Sequence, residues 1–109
     1  MDFRADPEEI IFRNYQINGI YEMQVSLCNV SPMSKRIKYM PPPSNEFTVT
    51  DVKYPLGKGM IAPGMSVVFV VHFHATNLSD FDDELVIVTD VGAFPVNFVI
   101  YLFKIERLN

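Results

Sequence analysis

Gly64-Met65-Ser66-Val67-Val68-Phe69-Val70-Val71-His72-Phe73-His74 is the stretch on which the fold turns. The turn signal Ala62-Pro63-Gly64 opens it, and a β-branched and aromatic run follows. Val67, Phe69, Val71 and Phe73 alternate with Val68, Val70, His72 and His74, the period of a strand with one face on a core. The second face is also apolar in its first half, so this strand is predicted to be central in its sheet.

Working outward, similar runs recur on both sides. Glu8–Arg13 places Ile10 and Phe12 on one face. Asn18-Gly19 is a turn dipeptide, and Ile20–Cys28 then sets Tyr21, Met23, Val25 and Leu27 against Glu22, Gln24, Ser26 and Cys28. Lys35–Met40 points Ile37 and Tyr39 inward, and Pro41-Pro42-Pro43 ends it because three successive residues lack N–H donors. Phe47–Thr50 is a short strand, and Met60-Ile61 forms a brief bridge. After the acidic loop Ala75–Asp83, Glu84–Thr89 alternates Leu85 and Ile87 with Val86 and Val88. The last strand, Phe94–Phe103, turns Phe94, Val96, Phe98, Ile100 and Leu102 inward, with Pro95 at an edge or bulge. About seven strands spaced by roughly 10–15 residues, with no sustained helical period, predict an all-β sandwich.

A chain of 109 residues suits one domain with one core. At 49% hydrophobic and 20% charged it is globular, and its 9 Phe with no Trp point to a core of Phe and aliphatic groups. The net charge of −4 argues against a general binder of phosphate backbones. Cys28 is the single cysteine, so no internal disulfide forms, which is compatible with a reducing compartment. No run approaches the ~20 apolar residues of a membrane helix. The expected organisation is a polar lead-in over residues 1–7, one domain over 8–103 and a tail over 104–109. The boundaries are compatible with an excised module.

The order Gly19, Val25-Ser26-Leu27-Cys28-Asn29-Val30-Ser31, Ile37-Lys38-Tyr39 with prolines, and Phe47-Thr48-Val49 forms one half of a family likeness. Gly59-Met60-Ile61-Ala62-Pro63-Gly64-Met65-Ser66, Phe69-Val70-Val71-His72-Phe73, Leu85-Val86-Ile87-Val88-Thr89 and Phe94-Pro95-Val96 form the other. Over about residues 7–102 the chain resembles the ASH/major-sperm-protein/PapD-like immunoglobulin fold, in particular the modules of hydin-like cilia and flagella proteins. The resemblance implies a seven-stranded immunoglobulin-like sandwich. It also implies a non-enzymatic interaction or scaffold module, cytoplasmic, in the axoneme of a cilium or flagellum or at the centrosome or basal body. The partners implied are axonemal or centrosomal proteins, tubulin or neighbouring domains, with no cofactor, no nucleic acid and no membrane insertion. The alternative is a membrane-contact adaptor of the major-sperm-protein type, binding acidic two-phenylalanine (FFAT) peptides. The stretch that would match that peptide site reads Lys38-Tyr39-Met40-Pro41-Pro42. It keeps one lysine and replaces both threonines of the pattern by proline.

Two groups of residues are the candidate protein-binding sites. Lys35, Arg36 and Lys38, with Met40 beside them, form the dense basic cluster, suited to an acidic partner or simply a solvated strand face. Val99, Tyr101 and Phe103 share the outer face of the last strand and form an interaction patch unless covered by the N-terminal segment or another module. His72 and His74, two residues apart, present two imidazoles, but a closed metal site needs more ligands. Asp80, Asp82 and Asp83 read as a solvated loop. Cys28 has no histidine or basic neighbour to activate it. Asn29-Val30-Ser31 and Asn77-Leu78-Ser79 fit the glycosylation pattern, which matters only in a secreted protein, and Ser31-Pro32 fits a phosphorylation site. No nucleophile elbow or phosphate-binding loop is present.

Overall fold

The computed structural model describes residues 2–13, 15–57, 59–77 and 81–101. They form ten strands: β1 (Phe3–Asp6), β2 (Glu9–Arg13), β3 (Ile20–Asn29), β4 (Lys35–Arg36), β5 (Lys38–Met40), β6 (Phe47–Lys53), β7 (Met60–Ile61), β8 (Ser66–His74), β9 (Phe81–Thr89) and β10 (Gly92–Tyr101). One four-stranded sheet runs β1-β3-β8-β6 and the other β2-β10-β9-β5, with β4 and β7 as a small pair. This is the immunoglobulin-like all-β sandwich. Strand β8 lies between β3 and β6, as its two-sided apolar run requires.

The chain is cut more finely than seven strands. The tract expected as a polar lead-in contributes β1, which pairs antiparallel with β3 (Phe3 opposite Asn29). The chain then crosses the cis Asp6–Pro7 peptide and joins the opposite sheet as β2, parallel to β10. Lys35–Met40 is two strands: β4 pairs with β7, β5 with β9, and buried Ile37 lies between them. Strand β6 runs three residues past Thr50 through an irregularity between Val49 and Asp51. One residue of slip there lets Val52 oppose Phe69, so the apolar face is kept on the core side. Strand β9 begins at Phe81, inside the stretch expected to be loop, because Phe81 packs on the core.

The inward residues fall where alternation puts them. Val25, Leu27, Val67, Phe69, Val71, Phe73, Leu85 and Ile87 are fully buried. Aromatic contacts join the sheets at three places. Phe73 is surrounded by Tyr15 (5.4 Å), Phe47 (5.1 Å) and Phe81 (5.4 Å); Phe69 meets Tyr39 edge-on at 5.3 Å; Phe3 stacks on Phe94 at 6.4 Å. Such pairs add about 0.5–1.5 kcal/mol beyond the area they bury. Pro95 opposes Val86 of β9, while β2 pairs with β10 only from Asn97 onward, so Pro95 sits where β10 is an edge. The expected inward side chains of Phe12, Phe98 and Ile100 lie outside the described residues, as does Leu102.

Two of the turns with a positive φ are closed by a backbone hydrogen bond. In Ala62-Pro63-Gly64-Met65 the Met65 N–H donates to the Ala62 carbonyl at 3.0 Å and Gly64 has φ 80°, the geometry of a type II turn with Pro second and Gly third. In Gln16-Ile17-Asn18-Gly19, Asn18 takes φ 65° and the Gly19 N–H donates to Gln16 at 3.0 Å.

A candidate protein-binding face on the second sheet

The outward residues of the second sheet follow from its registers. Met40, Val86 and Pro95 form one cross-strand row; Lys38, Val88 and Ala93 form the next. In the other direction along the strands come Glu84 and Glu9, then Asp82 and Ile11, paired through the β10 backbone at Asn97 and Val99. Met40 is 53% exposed and Ile11 48%. Val86 and Val88 are half-buried, and Ala93 and Pro95 are exposed. This strip is apolar at one end, with Lys38 at its corner, and acidic at the other through Glu9, Asp82 and Glu84.

The first sheet turns a different face to solvent. Arg4, Glu22, Gln24, Thr48 and His74 are exposed there. Its outward valines are flanked by polar neighbours: Val70 lies between Gln24 and Asp51, and Val68 between Ser26 and Lys53. Val70 is accordingly only 6% exposed. The first sheet also exposes Ile20, at the start of β3. On the second sheet, exposed Met40 and Ile11 share one face with Val86, Val88, Ala93 and Pro95, an arrangement suited to a surface that meets another protein.

The sequence-marked residues divide around this face. Lys38 and Met40 lie on it, on edge strand β5. Lys35 does not: its ammonium meets Asp90 at 3.3 Å and Asp2 at 3.5 Å, tying the N-terminal segment to the β9–β10 hairpin. Its pKa is raised above the usual 10.5, first by the hydrogen bond to Asp90, against an opposing burial effect, with the charges of Asp2 and Asp90 adding. Arg36 is exposed and lines a groove of about 460 Å³ with Ile37, Lys38, Gly59, Val88, Thr89 and Asp90, past the apolar end of the face. The backbones of Val99 and Tyr101 pair with Ile11 and Arg13 in β2. Their side chains, and Phe103 altogether, lie outside the described residues. Sequence reasoning did not mark Ile11, Val86, Val88 and Pro95, although Val86 and Val88, alternating with inward Leu85 and Ile87, were a usable signal.

The other polar candidates are engaged in structure. His72 Nε2 lies 3.3 Å from a Glu22 carboxylate oxygen across the β3–β8 pair, on the face opposite the core. Among the described residues no three His, Cys, Asp or Glu side chains come together as a metal site. Asp83 accepts from the Ser44 N–H (3.0 Å) and from its hydroxyl, fixing the segment after the prolines to β9; Asp82 is exposed, and Asp80 lies outside the described residues. Asn29 is fully buried and fully used. Its amide donates to the carbonyls of Ile61 (2.7 Å) and Met33 (2.8 Å), and its oxygen accepts from the Ser31 N–H (2.9 Å) and hydroxyl (2.7 Å). The Asn29-Val30-Ser31 match is therefore a structural knot with no accessible amide, and the Ser31 hydroxyl is committed to it. Cys28 is half-buried with its thiol 3.8 Å from the Asn29 carbonyl. Among the described residues no helix is long and apolar enough to cross a membrane.

Residues 3–103 match the family described as the Deleted in lung and esophageal cancer protein 1 Ig domain. The human protein of that name is 34% identical over 87 residues, covering 80% of this chain. The chain spans only 5% of that relative's length. Among solved structures, the ASH/PapD-like domain 7 of human CEP192 superposes with a TM-score of 0.63 at 8% identity, covering 96% of this chain and 87% of that one. The secreted serine protease VesC from Vibrio cholerae gives 0.65 at 11% identity, covering 91% of this chain and 22% of the protease. At such identities the likeness is one of fold.

Proposed function

We propose, from the premise that this chain belongs to the family of the Deleted in lung and esophageal cancer protein 1 Ig domain, that it is a non-enzymatic protein-interaction module. It works in the cytoplasm as part of a ciliary, flagellar or centrosomal assembly. The observation that carries the binding role is the outer face of the second sheet, where exposed Met40, Ile11, Ala93 and Pro95 lie with half-buried Val86 and Val88, Lys38 at one end and Glu84, Asp82 and Glu9 toward the other. A face of this kind gains by desolvation when a complementary surface covers it, and its charges set the orientation. The ASH-type likeness of the sequence supports the cellular setting.

A catalytic role finds no support. A nucleophile or general base needs a partner oriented in a cleft, whereas His72 pairs with Glu22 on an open sheet face and the 460 Å³ groove has Lys38, Arg36 and Asp90 around mainly apolar walls. The FFAT-type adaptor reading is weaker for a local reason. Pro41 and Pro42 stand where hydroxyl donors are needed, and Pro42 is buried.

A fluorescent fusion of the chain expressed in ciliated cells tests the proposal. Concentration at the axoneme, basal body or centrosome is the expected result; a diffuse or purely endoplasmic-reticulum distribution would overturn it.

A further inference from the structure

We draw no further inference here: the strongest candidate, the seam between β1 and the opening half of β10, where cavities of about 230 and 250 Å³ flank the Phe3–Phe94 stack, is a mainly apolar groove and nothing in the structure shows what covers it.

Discussion

At the scale of single residues, Asn29 holds more of the molecule together than any surface group. Its amide links the end of β3, the loop to Met33, β7 through Ile61, and Ser31, and its backbone joins the Met65 and Gly64 turn. Asn29→Ala strands several buried polar groups and is expected to cost about 2–4 kcal/mol in urea unfolding. The sequence could not reveal this, because Ile61 is 32 residues away and the local pattern mimics a glycosylation signal. Tyr54 gives a second expectation. Burial, and secondarily the charge of Tyr39, raise its pKa above the usual 10.0, and Lys35 is raised above 10.5. Both groups hold their protons more tightly when folded, so their stabilisation is complete below about pH 10 and is lost as pH rises through the folded values. Melting temperature should fall on the alkaline side above pH 10, and Tyr54→Phe should make that fall shallower while leaving neutral-pH stability nearly unchanged.

At the scale of elements, the long strands were legible and the short ones were not. Strand β8 declares itself through four inward apolar positions, and all of Val67, Phe69, Val71 and Phe73 are buried. Strand β1 has only Phe3 and Ala5 to mark it, and Phe3 joins the core beside residues far away in the chain, among them Phe94. The division of Lys35–Met40 was equally hidden, since β4 and β5 differ in partner and not in composition. Phe69→Ala is expected to destabilise by about 3–5 kcal/mol, the range for truncating a buried Phe. Phe3→Ala should cost a comparable amount, at least ~2 kcal/mol, whereas a residue in an unpaired lead-in would cost almost nothing. Denaturant melts of the two variants side by side separate these cases.

At the scale of the whole molecule, the two outer faces differ in their apolar content. The first sheet surrounds its outward valines with Gln24, Asp51, Ser26 and Lys53 and exposes Ile20 at the start of β3; the second leaves Met40, Ile11, Ala93 and Pro95 uncovered. Lys38 and Met40 were visible in the sequence as a basic and apolar pair. Their alignment with Val86, Val88 and Pro95 required the β5–β9 register, which one sequence does not contain. Lys35 looked like part of the same cluster and is instead spent on Asp90 and Asp2, because chain reversal at the β9–β10 hairpin brings an acid beside it.

The central claim is that this sandwich serves ciliary or centrosomal assemblies by binding proteins. Proximity labelling from ciliated cells, with the chain fused to the labelling enzyme and the free enzyme as control, tests it most directly. Enrichment of axonemal, basal-body or centrosomal proteins is the result expected. Enrichment of endoplasmic-reticulum proteins alone, or a profile no different from the free enzyme, would contradict it.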